Sequence, residues 1–298
     1  MTLFTGLSAF PITPANIDGI VDTDALSVLV ERLVHAGVDS IGVLGSTGIY
    51  AYLDRSERIR ATEAAVEAAA GRTPVIVGVG ALRTSWSRDL AIAAERAGAD
   101  GLLLAPMSYT PLTQQEAQEH FRAVSEATAL PMCIYNNPGT TNFRFSDELI
   151  AALAAMPNMA AIKMPLPGDG DYRVELQRLR ASTPRDFKIG YSGDWGAGDS
   201  LIAGGDAWYS VVAGLLPEQA LALARAAMSG DIDQAGRLDS AFVPLWNLFR
   251  EHGSLRIMYE VGRRLGLPLE AAPLPLGRVG AEVAAMVDDA LNHLTARC

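Results

Sequence analysis

Cysteine is nearly absent from this chain of 298 residues: there is Cys133, inside an apolar run, and Cys298, at the very end. Two such positions give neither a disulfide framework nor metal-ligand spacing, and they suit a reducing cytoplasm. Histidine is just as sparse. His35, His120, His252 and His293 stand singly on predicted helices, with no i,i+4 partner and none at a strand end. No metal centre is therefore expected. Basic charge is in deficit: 24 Lys and Arg against 34 Asp and Glu leave a net charge of −10, with no basic stripe. Nucleic acid and anionic membrane surfaces are thus not expected as partners. No apolar run approaches the roughly 20 residues that span a bilayer. The first six residues lack a basic region and lead into Pro11 and Pro14, which does not read as a signal peptide.

Nucleotide motifs are also missing. Gly78-Val79-Gly80 follows a predicted strand, but Arg83 stands where a dinucleotide fingerprint needs its third glycine. The glycines read instead as a tight turn. No Walker-type GK[ST] occurs, and Leu44 breaks a nucleophile elbow around Ser46.

What the chain does have is repetition. Short apolar strand candidates recur at Leu7-Phe10, Ser40-Leu44, Val75-Val79, Gly101-Ala105, Met132-Tyr135, Ala160-Met164, Lys188-Tyr191 and Ala207-Val212. Helical stretches separate them, the clearest being Asp54 to Ala70 with alanines at helical spacing. Thr84 or Ser85, Thr113 and Ser146 are candidate N-caps. Strands without polar alternation, each followed by a helix, indicate a parallel sheet. Eight such units suit an α/β fold of the (β/α)8 TIM-barrel type, with an open doubly wound sheet as the alternative. The joint Ala36-Gly37-Val38-Asp39 is echoed by Ala97-Gly98-Ala99-Asp100 and Ala203-Gly204-Gly205-Asp206, as repeated units would show. After Pro217-Ser229 the strand signal stops. Ile232-Glu251, Leu255-Leu265 and Leu276-Leu294 read as a C-terminal helical extension, which divides the chain into a barrel over 1–229 and an extension over 230–298.

One residue in this pattern is out of place. Lys163 interrupts the apolar run Ala160-Met164. Desolvating an ammonium ion is costly, and burial favours the neutral amine, which can attack a carbonyl. Catalytic groups of a barrel project from the C-terminal ends of its strands. Tyr135 ends the preceding strand, 28 residues earlier, so phenol and amine can meet from neighbouring strands. Gly45-Ser46-Thr47-Gly48 ends the second strand, where hydroxyls and amides at a helix start could hold a carboxylate. Amine, phenol and hydroxyls together describe a Schiff-base site for a 2-oxo acid.

With these residues in place, the chain resembles the dihydrodipicolinate synthase/N-acetylneuraminate lyase family of class I aldolases. The resemblance runs almost end to end, through Ala9-Phe10-Pro11-Ile12-Thr13-Pro14, the GSTG loop, Tyr135-Asn136-Asn137-Pro138, the Ile162-Lys163 strand, Ser192-Gly193-Asp194 and the helical tail. It implies that Lys163 is the Schiff-base lysine, that Tyr135 is an acid/base, and that Ser46 and Thr47 hold the carboxylate and relay protons. It also implies that the backbone near Tyr209 lines the pocket.

The chain departs from the family pattern where a second substrate would be held. Thr140 stands where the synthases carry an arginine, Ile49 replaces a glutamate, and Trp195 follows Ser-Gly-Asp where an acid is usual. The tyrosine of the strand 4 loop is replaced by Ser108 or displaced to Tyr109. Ile49 and Trp195 should make the pocket mouth more apolar.

The expectation is a Schiff-base lyase, an aldolase or dehydratase, acting on pyruvate or a related 2-oxo acid, with no metal or organic cofactor. Its partner is a small-molecule substrate, and the resemblance implies a homo-oligomer, dimer or tetramer. A dihydrodipicolinate synthase with an altered pocket and a low-turnover 2-oxo-acid-binding protein stay open as alternatives.

Overall fold

The computed structural model describes residues 3–297, so Cys298 and the first two residues lie outside it. Eight parallel strands form a closed barrel in sequence order: β1 Gly6–Ala9, β2 Ser40–Val43, β3 Val75–Gly78, β4 Gly101–Leu104, β5 Met132–Tyr135, β6 Met159–Met164, β7 Lys188–Tyr191 and β8 Ala207–Ser210. Closure is made by β1 and β8, paired from Gly6↔Ala207 to Ala9↔Ser210. This settles the choice against an open sheet. The strands are apolar because barrel filling covers one face and helices cover the other.

The repeated joint has a physical cause. Gly37, Gly98 and Gly204 all take left-handed backbone angles (φ 78°, 88° and 101°), which glycine adopts without a Cβ penalty. Each joint then supplies an aspartate to the neighbouring strand. Asp39 accepts the amide of Leu7 at 2.7 Å, Asp100 that of Val75 at 2.7 Å, and Asp206 that of Ile189 at 2.9 Å. The Gly-x-Asp echo therefore ties the start of one strand to the loop entering the next, at β1/β2, β3/β4 and β7/β8.

Helix ends follow local chemistry with two corrections. Thr113 forms a reciprocal capping box with Glu116, and Ser146 caps Asp147–Ala154. Helix Thr84–Ala97, however, takes Arg83 at its N-cap without a side-chain bond, not Thr84 or Ser85. The last helix is Ala281–Thr295 and does not begin at Leu276. Gly277 and Gly280 lie in the excluded stretch, where glycine disfavours a helix start.

The C-terminal helices Ile232–His252, Ser254–Arg264 and Ala281–Thr295 share one continuous core with the barrel, including Phe242, Leu245, Ile257 and Met258 beside Val212 and Leu215. Gly262 permits this contact: a Cβ there would come within 2.3 Å of Leu269 and 3.3 Å of Leu215. Among the described residues no helix is long and apolar enough to cross a membrane.

Candidate active site

Lys163 sits near the C-terminal end of β6 and is 4% exposed. Strand pairing sets it directly beside Tyr135 of β5 and Gly190 of β7. Its amine lies over three aromatic rings: 4.3 Å from the centroid of Phe10, 4.7 Å from Tyr135 and 5.7 Å from Tyr209. Ring faces attract a cation by about 0.5–2 kcal/mol each when desolvated, and they offer no proton acceptor of carboxylate strength. Among the described residues no carboxylate lies within ion-pair distance of Nζ.

Small residues make this packing possible. Phe10 follows β1 and its ring lies against Gly42 of β2 and Gly45. A Cβ at Gly42 would come within 2.3 Å of that ring, and one at Gly45 within 2.7 Å. Gly190 likewise makes room for Tyr209, which would stand 2.6 Å from a Cβ there. Phe10 and Tyr209 meet edge to face at 6.1 Å.

The Tyr135 hydroxyl accepts a hydrogen bond of 3.0 Å from the Asn137 side-chain amide. The Asn136 amide donates to the Lys163 carbonyl at 3.0 Å, carrying the β5–β6 ladder one residue past the phenol. Both devices fix the side chains at the strand ends.

A cavity of about 490 Å3 opens above the amine. Lys163, Tyr135, Ser46, Thr47 and Thr140 all line it. Ser46 and Thr47 lie in a turn after β2, and among the described residues no partner within the chain takes up their amides or hydroxyls. The expected helix start is absent there. The turn leads into a short 3-10 helix at Tyr50–Tyr52, and the α-helix begins only at Arg55.

The remaining expected residues are spread between floor, surface and core. Tyr209 forms part of the floor, 1% exposed, with its hydroxyl accepting from the Cys133 thiol at 3.4 Å; Val211 lines the cavity after β8 instead. Tyr109 is 95% exposed on the surface of this chain, as a residue that reaches a partner subunit would be, while the Ser108 hydroxyl turns to the Thr110 carbonyl. Ile49 is fully buried with φ 51°, so it does not line the mouth; Trp195 does.

Sequence reasoning named the Ser-Gly-Asp segment but gave its aspartate no work. Asp194 lines the cavity, and its carboxylate accepts from the Trp208 indole at 2.9 Å and the amides of Val211 at 3.2 Å and Val212 at 2.8 Å. Burial raises its pKa, opposed by these bonds and by the charge of Lys163. It binds the loop after β7 to the loop after β8. Phe10, Asn137, Leu166 and Phe249 were also missed as site residues. Phe10 had a usable signal, an aromatic ring at the predicted end of the first strand.

Similarity to known proteins agrees with this geometry. The sequence model of the dihydrodipicolinate synthetase family matches residues 3–294. The 4-hydroxy-tetrahydrodipicolinate synthase of Laribacter hongkongensis (strain HLHK9) is 33% identical, over 97% of this chain and 98% of its own. That of Pseudomonas aeruginosa PAO1 is 35% identical, over 89% of each. The crystal structure of a dihydrodipicolinate synthase from Agrobacterium tumefaciens strain C58 superposes with a TM-score of 0.97 at 57% identity, covering 98% of both chains. The chain belongs to the dihydrodipicolinate synthetase family, and with it to the metal-independent class I lyases.

Proposed function

We propose that Lys163 forms an imine with the carbonyl carbon of pyruvate or a related 2-oxo acid, and that the protein makes or breaks a bond through the derived enamine. The observation that carries this reading is the setting of the amine. It is buried among three aromatic rings, has no carboxylate ion pair among the described residues, and is paired in register with a phenol at the floor of a cavity.

The neutral amine adds to the carbonyl to give a carbinolamine, and loss of water gives the imine. Tyr135 carries the protons of both steps. Thr47 and Ser46 receive the carboxylate through hydroxyls and amides that nothing else in the described chain engages. The iminium withdraws electrons from the neighbouring carbon, so no residue is needed to hold a metal. Among the described residues no three His, Cys, Asp or Glu side chains converge as metal ligands.

The site suits a 2-oxo acid aldolase or dehydratase better than the synthase reaction named for its relatives. Thr140 lines the cavity where the resemblance places the synthases' arginine, and its hydroxyl donates to the Asn137 carbonyl at 3.3 Å. Leu82 and Tyr109, in the loops after β3 and β4, and Trp86, in the first turn of helix Thr84–Ala97, stand exposed, which favours a homo-oligomer joined through that end. A reducing cytoplasm suits Cys133, whose thiol is buried and pushed up to about 12 by burial.

Incubation with pyruvate and borohydride tests the reading. One reduced adduct should form and map by peptide mass to Lys163, and Lys163→Ala should abolish it. An adduct on any other residue, or none with any 2-oxo acid, contradicts it.

A further inference from the structure

The lining of the Lys163 cavity is chemically divided. Ser46 and Thr47 follow β2, while Leu166, Trp195 and Val211 follow β6, β7 and β8 on the other side of the ring, joined there by Phe249 from helix Ile232–His252. Among the lining residues Lys163 is the one cationic side chain and Asp194 the one carboxylate. The Asp194 oxygens are already engaged by Trp208, Val211 and Val212. The β6–β8 side therefore offers mainly carbon and an indole, with the Ser192 and Ser254 hydroxyls as neutral polar groups, and no cationic side chain to pair with a second charge.

This apolar wall is held in place. Leu166 is wedged against Gly193 and Gly196, where an added Cβ would stand 2.8 and 2.7 Å from its side chain. Phe249 ends an aromatic ladder: Phe242 stacks on Trp246 at 4.6 Å, and Trp246 meets Phe249 at 5.7 Å. Trp195, 41% exposed, covers the mouth. Packing thus holds Leu166 and Phe249 in place as a fixed apolar surface.

Resting on the imine reading above, we propose that this wall selects an aldehyde with an apolar, preferably aromatic, tail, so that the enzyme makes and cleaves 4-hydroxy-2-oxo acids carrying such a group at C4. In the forward direction the enamine carbon bonds to the aldehyde carbon. The carbonyl electron pair moves to oxygen, which takes a proton carried by Tyr135. Hydrolysis of the resulting imine returns the Lys163 amine and consumes the water released when the imine formed. The two carbonyl compounds thus combine without any oxidant or reductant.

The selectivity follows from desolvation. A carboxylate pressed against Leu166 and Phe249 gives up water and gains no cationic partner, whereas a methyl or aryl group gains contact. The test uses 4-methylbenzaldehyde and 4-carboxybenzaldehyde, similar in size and opposite in this respect, each with pyruvate and the full-length enzyme. The methyl compound should be favoured at least about tenfold in kcat/KM. Trp195→Ala should reduce that preference mainly through the KM of the aldehyde, and Trp195→Arg should shift it toward the carboxylate compound. Equal or better use of 4-carboxybenzaldehyde by the unmodified enzyme overturns the proposal. So does an enzyme that forms the Lys163 adduct with pyruvate yet consumes neither aldehyde. Failure to form that adduct at all overturns the imine reading as well, so the two failures are told apart.

Discussion

Tyr135 and Lys163 are cross-strand partners on β5 and β6, and the amine of one lies 4.7 Å from the ring centre of the other. Parallel pairing holds the pair in this relation, because a slip of one residue would turn either side chain to the other face of the sheet. The phenol is oriented in turn by the Asn137 amide at 3.0 Å. Tyr135→Phe keeps the ring and removes only the hydroxyl, so folding should survive while imine formation or turnover falls about 10²-fold or more. Stopped-flow trapping with pyruvate reads this directly. Asn137→Ala, which only frees the hydroxyl to rotate, should cost less, at most about tenfold. Unchanged turnover in Tyr135→Phe would place the proton relay elsewhere.

Phe10 should prove as sensitive as the polar residues. Its ring underlies the amine at 4.3 Å and is hemmed by Gly42, where a Cβ would stand 2.3 Å from the ring. Gly42→Ala should destabilise the protein by about 1–3 kcal/mol through overpacking, and slow imine formation by displacing the ring. Chemical denaturation and the borohydride assay measure the two effects separately. A variant of native stability and native rate would show that the ring has room to move.

Activity should not depend on divalent metal, since the iminium itself is the electron sink and no cluster of ligating side chains exists among the described residues. Dialysis against a strong chelator should leave the rate unchanged. Loss of activity restored by zinc or magnesium would contradict the mechanism.

Stability should fall in mild acid partly through His120. Burial lowers this imidazole from 6.5 to about 4 in the folded protein; its Nδ1 lies 2.9 Å from the Thr84 hydroxyl, and its Nε2 is buried without a partner. The unfolded chain takes up a proton near pH 6.5 that the folded chain refuses, so the contribution is intact above that pH and is lost as pH falls toward 4. The full difference is worth about 3 kcal/mol. His120→Gln should flatten this part of the stability profile between pH 6.5 and 4, as read by urea unfolding at several pH values. A parallel profile for both proteins would assign the acid loss to other groups.

Strand positions and the amine were legible because they depend on local pattern: an apolar run, a helix after it, and one charge where none belongs. Lys163, Tyr135, Ser46 and Thr47 all reach one cavity for that reason, and Thr140, pointed to by the family resemblance alone, reaches it too. What escaped depends on distant contacts. Nothing near Asp194 in sequence shows that Trp208, Val211 and Val212 will converge on its carboxylate. Phe249 lies 86 residues beyond Lys163 and reaches the cavity only because its helix packs back on the barrel. Ile49 was misplaced because a loop residue's direction is set by turn geometry, which composition does not reveal.

Thr140 gives the sharpest test of which reaction the cavity serves. It lines the pocket as a neutral hydroxyl already donating to the Asn137 carbonyl, where the resemblance places the synthases' arginine. A guanidinium–carboxylate contact is charge-assisted and often bidentate, and threonine cannot supply it. Losing such a contact costs about 2–5 kcal/mol, or roughly tenfold to several-thousandfold in affinity, where bound substrate shields it from water, and about 1 kcal/mol or less where it stays exposed. The enzyme should therefore condense pyruvate with aspartate semialdehyde poorly, and should fail to complement a strain lacking the synthase. Thr140→Arg places the charge on the exposed short helix Pro138–Thr141, where it disturbs no buried contact. That variant should gain affinity for the carboxylate-bearing aldehyde, seen as a lower KM, while the Lys163 adduct with pyruvate still forms. Efficient condensation of the pair by the unmodified enzyme would overturn this reading and make the protein a synthase that holds its second substrate by other means.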